Sequence, residues 1–288
     1  MEFRQYQQAA LKTLQPAPPG ADPALIPLLG LAGEAGSVLS AYKKGLRDAP
    51  AGRLTKAELR EELGDVLWYL AVVASHWKLD LEDVAAANLS KIADRWRPTP
   101  ASLIPFDDGY PPAEQLPRYA VFTFSLEEDH KGRTVLVLRR DGHGVGDPLT
   151  DASHIEDSYR FHDIFHLAYV AVLGWSPVMR ALLGCKRRSR HDIDEAEDGG
   201  RAIAIEEGVS ALVFAYAARN NYLDGVQRLD HELLDTIGSM VAHLEVSAHR
   251  AADWERAILA GYQAWRRLRS NGGGTVELNM EQQTLTVA

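Results

Sequence analysis

Residues 58–71 read Glu-Leu-Arg-Glu-Glu-Leu-Gly-Asp-Val-Leu-Trp-Tyr-Leu-Ala, an acidic segment that continues into an apolar one. Glu58, Glu62 and Asp65 stand at positions i, i+4 and i+7, so in a helix they share one face. Carboxylates stacked on an exposed helical face repel each other by roughly a few tenths of a kcal/mol per pair. A hard cation such as Mg²⁺, which takes oxygen ligands, would offset that repulsion. A solvated acidic face gives the same pattern, so a second segment is needed to choose between these interpretations.

That segment, residues 29–47, reads Leu-Gly-Leu-Ala-Gly-Glu-Ala-Gly-Ser-Val-Leu-Ser-Ala-Tyr-Lys-Lys-Gly-Leu-Arg. Glu34 is a lone carboxylate among small and apolar residues, and such a charge is rarely buried without a partner. Gly33 and Gly36 flank it and weaken a helix, which indicates close packing or the close approach of a ligand. Packed antiparallel, the two helices would place a metal site beside a phosphate site. The cations that would form the phosphate site are Lys43, Lys44 and Arg47.

Together the two segments resemble the MazG-type, all-α nucleoside triphosphate pyrophosphohydrolases. Members of that family often read Gly-Leu-x-Gly-Glu-x-Gly-Glu, then Lys-Lys, then Glu-Glu-Leu-Gly-Asp-Val-Leu-Trp-Tyr-Leu. The likeness extends from Tyr6 to about Arg97, and Glu34, Glu62 and Asp65 match acids of the family pattern. Ser37 stands where the second acid of the family's Glu-x-x-Glu should be. A serine hydroxyl is a weaker, neutral ligand, so the metal site loses one negative charge.

The resemblance implies a chemistry as well as a fold. Family members hold Mg²⁺, or Mn²⁺, on these acids and cut a nucleoside triphosphate between its α- and β-phosphates, giving a monophosphate and pyrophosphate. The metal ligands implied here are Glu34, Glu62 and Asp65. Glu61 or Glu62 is expected to orient or deprotonate the attacking water. Contacts to phosphate or base are expected from Lys43, Lys44, Asn88, Lys91 and Arg95.

The N-terminal domain, residues 1–97, is predicted to be an antiparallel helical bundle. Its helices are expected at 2–14, from residue 22 or 23 through Glu34, at 55–77 and at 84–96. Thr55 is a suitable N-cap, and Glu58 three residues later completes a capping box. This gives Glu58 a structural role rather than a metal-binding one.

Residues 98–117 contain six prolines and are predicted to form an extended linker. After it, residues 119–125 and 133–139 are rich in β-branched and aromatic residues, with Lys131-Gly132 between them, and predict a β-hairpin; the C-terminus, 275–287, predicts a second hairpin. We expect the hairpins to pair into one small antiparallel sheet against the helices of a C-terminal domain, residues 118–288. The predicted fold class is therefore mainly α with a small sheet.

The C-terminal half has its own set of chemically active side chains. His162 and His166 are spaced i, i+4, which suits two ligands of one metal ion, and Asp163 lies between them. Downstream, Glu206 and Glu207 align without gaps on the Glu-Glu pair of the first half, which suggests a diverged internal repeat. The five could hold Mn²⁺, Fe²⁺ or Zn²⁺. Equally, the histidines could be ordinary core residues. The basic run 186–190 is expected in a solvated loop that could close over a triphosphate.

The composition, 46% hydrophobic and 25% charged over 288 residues, is that of a globular chain long enough for two domains. A net charge of −9 argues against an extended nucleic-acid surface. The single cysteine, Cys185, forbids an internal disulfide and fits a reducing cytosol. We find no signal peptide and no uninterrupted apolar run of membrane-spanning length, and we expect a cytoplasmic protein. The thin helical core predicts a homodimer or larger homo-oligomer.

Two functions compete at the sequence level. The first is a metal-dependent nucleoside triphosphate pyrophosphohydrolase. The second is a nucleotide-binding regulatory or assembly protein whose site is weakened by Ser37. A minor third hypothesis is a separate metal-dependent phosphohydrolase centred on His162 and His166.

Overall fold

The computed structural model describes residues 1–48, 54–96 and 105–288, with side chains for all of these except 94–96. The protein is mainly helical and has one five-stranded antiparallel sheet, which confirms the predicted fold class. The chain divides into two compact units, Met1–Ile92 and Ala93–Ala288.

The N-terminal unit is built from helices whose ends lie within three residues of the predicted ones. α1 and α2 both pack on α3. A small core of Ala10, Ala71, Ala74 and Leu81 is covered by Tyr6 and Trp68. The elements are α1 (Phe3–Leu11), α2 (Leu25–Arg47), α3 (Lys56–His76) and α4 (Leu81–Trp96).

Side chains fix both ends of α3. At its start, the Glu58 amide donates to Thr55 Oγ1 (3.2 Å) and the Thr55 amide donates to Glu58 Oε2 (2.8 Å), which is the predicted capping box. At its end, Gln7 of α1 donates to the Leu79 carbonyl (2.8 Å) and accepts from the Leu81 amide (3.0 Å). One glutamine thus holds α1 against the turn between α3 and α4.

Much of the apolar surface of this unit is uncovered in the single chain. On α2, Leu29, Leu39 and Leu46 are 64%, 70% and 67% exposed, and Leu89 of α4 is 67% exposed. By length and composition α2 could span a membrane, contrary to the expectation from the sequence. Core helices of soluble proteins and signal sequences can have the same length and apolar composition.

The C-terminal unit combines helices with the sheet. The strands are β1 (Tyr119–Glu128), β2 (Thr134–Arg140), β3 (His143–Gly144), β4 (Gly273–Asn279) and β5 (Thr284–Val287), in the order β3-β2-β1-β4-β5. The two predicted hairpins pair through β1 and β4, with Phe122 opposite Val276. The helices are α5 (Asp163–Leu173), α6 (Pro177–Leu183), α7 (His191–Ala196), α8 (Gly200–Arg219), α9 (His231–Met240) and α10 (Ala251–Asn271).

The core of this unit is formed by the sheet together with α5 and α10. Phe122 and Phe124, alternate residues of β1, are buried, as one face of a packed strand must be. Every residue of α5 is buried, and α10 packs along it. Gly261 permits the close approach, because a Cβ there would lie 3.2 Å from Ala168 Cβ.

The expected linker, residues 98–117, falls into two parts. Residues 98–104 lie outside the described residues. Residues 105–117 pack within the C-terminal unit: Leu116 is buried, and buried Asp107 forms ion pairs with Arg118 (2.6 Å) and Arg180 (2.8 Å). For these residues the linker prediction is wrong, because charge pairing and burial override the local preference of proline for extended chain.

The basic run 186–190 is also not a simple solvated loop. Arg187 is 1% exposed and makes ion pairs of 2.7 Å with Asp198 and with Glu245. Both bonds satisfy a guanidinium that is removed from water, which gives Arg187 a structural role. Arg187 is therefore committed to carboxylates of the same unit rather than to a phosphate.

Candidate functional site

A close contact at one end, and the charge of Lys44 acting on Glu58 at the other, give the direction of α2 relative to α3. Gly30 on α2 lies against the ring of Tyr69 on α3, where a Cβ on residue 30 would stand 2.1 Å from Tyr69 Cε1. At the other end, hydrogen bonds from Thr55 lower the pKa of Glu58 and the nearby charge of Lys44 adds to the effect. Gly30 is early in α2 and Tyr69 is late in α3, whereas Lys44 is late in α2 and Glu58 is early in α3. The two helices therefore run antiparallel.

The same stripes of the two helices carry the predicted acids. Glu34 and Ser37 follow the α2 contact residue at i+4 and i+7, while Asp65 and Glu62 precede the α3 contact residue at equal spacings. The antiparallel register therefore places Glu34 opposite Asp65. It also places Ser37 opposite Glu62. Glu34, Ser37 and Glu62 are half-buried, and Asp65 is exposed.

The remaining predicted residues are spread around this face. Lys44 lies on the same stripe of α2, whereas Lys43 points about 140° away around the helix. Glu61 is exposed at the edge of the α3 stripe, about 80° from its centre. Asn88 and Lys91 are exposed on α4, and the side chain of Arg95 lies outside the described residues.

The acidic face is open rather than clustered. Within residues 1–48 and 54–93, Glu34, Glu62 and Asp65 do not bring three ligand atoms within 4.8 Å of one another. Mg²⁺ usually keeps several waters and is held by one or two carboxylates together with substrate phosphates. An open face of oxygen donors fits such an ion better than a closed cage would.

A compact set of metal-binding side chains lies in the C-terminal unit. His162, His166 and Glu207 each offer one ligand atom, and these atoms all lie within 4.8 Å of one another. His162 precedes the first turn of α5, His166 follows one turn later, and Glu207 belongs to α8. His166 Nε2 is 3.6 Å from Glu207 Oε1, and the two imidazole rings are 5.7 Å apart.

Glu206 lies behind the ring of His166. It is fully buried, and it accepts hydrogen bonds from His166 Nδ1 (2.8 Å), Ser176 Oγ (2.6 Å) and the Val178 amide (2.8 Å). A carboxylate held by three donors fixes the orientation of the imidazole, as carboxylates behind metal-binding histidines commonly do. Glu206 is thus a supporting residue, not one of the three converging groups.

Asp163, the fifth predicted residue, lies beside the set. Its Oδ1 is 3.6 Å from His162 Nε2, but it does not belong to the group whose ligand atoms all converge. Tyr159 supports His162: its carbonyl is 3.1 Å from His162 Nδ1, and its ring stacks on the imidazole at 4.6 Å. Sequence reasoning missed both Tyr159 and Ser176. Ser176 binds Glu206 across a tertiary contact, whereas Tyr159 lies only three residues before His162, and that spacing could have indicated it.

The charges of this set favour a cation at His166. Burial alone would lower the pKa of His166, but Glu206 and Glu207 outweigh it and raise that pKa to about 10. At His162 burial is the larger effect, and the pKa of that imidazole is lowered. Burial would raise the pKa of Glu207, and His166 more than reverses this and lowers it. The carboxylates therefore stabilise a positive charge here, carried by a proton or by a metal ion.

Comparison with known proteins covers both halves of the chain. Residues 26–98 match the MazG nucleotide pyrophosphohydrolase domain, and residues 101–288 match the MazG C-terminal domain. A 70-residue segment is 41% identical to the "Gene 37 protein" of Mycobacterium phage L5, covering 23% of this chain and 60% of that protein. No solved structure matches. Because the C-terminal family model alone covers more than half of the chain, this protein belongs to the MazG family.

Proposed function

We propose that the face between α2 and α3 hydrolyses a nucleoside triphosphate to a nucleoside monophosphate and pyrophosphate. The observation that supports the proposal is the contact of Gly30 with Tyr69, from which antiparallel helical spacing implies that Glu34 faces Asp65. Membership of the MazG family supports the class of reaction. We propose a nucleoside triphosphate as the substrate and a divalent metal ion as a requirement of the reaction.

The donor set on this face suits a hard divalent ion. Glu34, Glu62 and Asp65 offer carboxylate oxygens for Mg²⁺ or Mn²⁺. Such an ion, when bound, neutralises charge on the phosphates and stabilises the charge that develops during displacement. Lys44, two turns beyond Ser37 on the same stripe, is placed to hold the pyrophosphate leaving group.

Glu61 is the chain's own group for handling the attacking water. It is exposed at the edge of the acidic stripe, next to Glu62 in sequence but on the solvent side. A carboxylate there can accept a proton from water that approaches the face. We assign Glu61 this role and keep Glu62 for the metal.

The nucleobase would occupy a cavity at the other end of the stripe. This cavity, of about 570 Å³, is lined by apolar and aromatic groups. Aromatic faces stack on any base, so such a pocket binds a base without strict selection. It lies one helical turn from Asp65, because Tyr69 lines it. The lining includes Leu14, Ile26, Pro27, Trp68 and Tyr69.

We also propose a cytoplasmic homodimer or larger homo-oligomer. Exposed leucines occur near both ends and in the middle of α2, of which Leu39 is 70% exposed, and a second copy would remove them from water. A membrane is a poorer partner for α2, because Glu34 stands near its middle and a charge at that depth is costly.

The alternative function, a nucleotide-binding regulatory or assembly protein, is favoured by one observation. Ser37 lies half-buried on the stripe that faces Glu62, where family members carry an acid. With one charge fewer, the face binds a metal more weakly, and nucleotide binding without turnover is the expected consequence.

A screen of nucleoside triphosphates with Mg²⁺ and with Mn²⁺ tests the proposal. The expected products are monophosphate and pyrophosphate in equal amounts, and EDTA should abolish their formation. Diphosphate plus phosphate would contradict the proposed bond cleavage. Saturable nucleotide binding without any product would favour the regulatory alternative.

A further inference from the structure

We infer that the C-terminal unit binds one divalent transition-metal ion through Nε2 of His162, Nε2 of His166 and the carboxylate of Glu207. The three groups come from two helices, and their ligand atoms all lie within 4.8 Å of one another. This site is separate from the acidic face of the N-terminal unit, and it does not depend on the proposed hydrolysis.

Hydrogen bonds at the far side of each ring leave Nε2 available. His166 Nδ1 donates to Glu206 Oε1 at 2.8 Å, and His162 Nδ1 donates to the Tyr159 carbonyl at 3.1 Å. When Nδ1 carries the proton, the lone pair of a neutral imidazole is on Nε2. Nε2 is therefore the nitrogen that each ring has available for a metal ion.

An unpaired buried nitrogen points independently to a ligand. His166 is fully buried, and within the described chain its Nε2 has no hydrogen-bond partner. Buried polar atoms are nearly always paired, so an orphan of this kind calls for a missing partner. The nearest charged group, Glu207 Oε1, lies 3.6 Å away, which is too far for a good hydrogen bond but suits two ligands of one ion.

The distance between His166 and Glu207 requires only a small closure. Bonds of about 2.0–2.1 Å to a tetrahedral ion separate neighbouring ligand atoms by roughly 3.4 Å. The separation of His166 Nε2 from Glu207 Oε1, 3.6 Å, is already close to this value. The side chain of Glu207 is 41% exposed, so it can rotate inward without disturbing the core. The buried His166 is held by Glu206 and stays in place.

The donor set selects the kind of metal. Two imidazole nitrogens and one carboxylate are the ligands of catalytic zinc and of non-haem iron, whereas Mg²⁺ prefers oxygen alone. Imidazole nitrogen suits Zn²⁺ well, and Zn²⁺ is bound less tightly than Cu²⁺. Three protein ligands leave a position for water, on the side where Glu207 is exposed to solvent.

Zinc titration of the full chain, stripped with a chelator and held in millimolar Mg²⁺, tests the inference. The magnesium occupies the oxygen donors of the N-terminal face, so that zinc reports on the C-terminal site. Wild type should bind one Zn²⁺ per chain. Co²⁺ in place of zinc should give visible absorption bands typical of a low-coordinate nitrogen and oxygen site.

Two ligand variants and one matched control separate the outcomes. Glu207→Gln and His162→Ala should each weaken zinc binding at least ~10-fold, with circular dichroism unchanged. The control, His143→Ala with His154→Ala, removes two exposed histidines of the same unit and should bind like wild type.

Three results would overturn the inference. One is a wild-type chain that takes up no zinc, in which case His166 is a protonated core residue paired with its carboxylates. Another is unchanged affinity in both ligand variants. The third is loss of the zinc in Asp65→Asn, which would place the ion on the N-terminal face. Because the readout is metal stoichiometry, failure of nucleotide hydrolysis leaves this test intact.

Discussion

Gly30 of α2 and the ring of Tyr69 of α3 pack so closely that a side chain at residue 30 would overlap the ring. A Cβ there would lie 2.1, 2.4 and 2.7 Å from three ring carbons. This contact aligns the acidic stripe of α3 with Glu34, so the geometry of the proposed site depends on a residue with no chemical function.

Gly30→Ala should therefore lower both stability and turnover. The methyl group must displace the Tyr69 ring or separate the helices, and overpacking of this kind costs about 1–3 kcal/mol. Denaturant unfolding and pyrophosphate release on the same preparation measure the two effects.

Gly33→Ala is the matched control. No atom lies within 4 Å of a Cβ at that position, and alanine is the better helix former. Unfolding free energy should stay equal or rise by up to about 1 kcal/mol. If Gly30→Ala behaves like Gly33→Ala, the register described here is not the one in solution.

Asp65→Asn should reduce pyrophosphate release at least ~100-fold with little change in stability. Asp65 is exposed and lies opposite Glu34, so its charge serves the metal rather than the fold. The control is Asp83→Asn, an exposed acid on α4, which should keep wild-type turnover. Near-normal turnover in Asp65→Asn would remove the acidic face from consideration as the active site.

Ser37→Glu should strengthen Mg²⁺ binding. It restores a charged oxygen one helical turn from Glu34, on the stripe that faces Glu62. Ser90→Glu adds the same charge to the exposed surface of α4 and should not change affinity. Calorimetric titration with Mg²⁺ compares the two, and equal or weaker binding in Ser37→Glu would mean that residue 37 does not face the metal.

Local sequence patterns predict the elements of this fold well. The capping box at Thr55 and Glu58, and the β-branched and aromatic residues that flank Lys131-Gly132, each depend on residues that are close in sequence. The close approach of α2 and α3 is different. Gly33 and Gly36 attract attention because they flank Glu34, yet the contact is made by Gly30. The position of Tyr69 on α3 determines which glycine of α2 makes the close contact.

The C-terminal set shows the same limit. The spacing of His162 and His166, and the alignment of Glu206 with Glu61, select from sequence alone residues whose side chains lie close together in the structure. The sequence does not predict which of Glu206 and Glu207 converges with the histidines and which one supports His166 from behind. It depends on Ser176 and the Val178 amide, which bind Glu206 and turn it away from the converging atoms. The internal repeat itself stays a prediction.

Leu39→Glu should dissociate the proposed oligomer. Leu39 is 70% exposed on α2, and a charge there would be desolvated by a second copy. Gln8→Glu, an exposed position on α1, controls for added charge. Light scattering at several concentrations gives the mass, and a wild-type protein that is already monomeric would contradict the oligomer.

Asp107→Asn should make the C-terminal unit less stable and less sensitive to acid. Burial would raise the pKa of Asp107, but the hydrogen bonds from Arg118 and the Leu116 amide, with the charge of Arg180, lower it overall. A carboxyl whose pKa is lower in the folded state stabilises the fold above its unfolded pKa of about 3.9, and this contribution is lost as the pH falls through the folded value. Removing the charge leaves Arg180 buried with one partner fewer, at a cost of about 3–5 kcal/mol at neutral pH.

Thermal unfolding from neutral pH down to about pH 3 follows both effects. Wild type should lose stability steeply below about pH 4, whereas Asp107→Asn should start lower and show a shallower slope. Asp108→Asn, at the exposed neighbouring position, should track wild type over the whole range. A variant at position 107 that matches wild type at neutral pH would show that the buried pair with Arg180 contributes little, and that segment 105–117 is held by Leu116 and its apolar contacts instead.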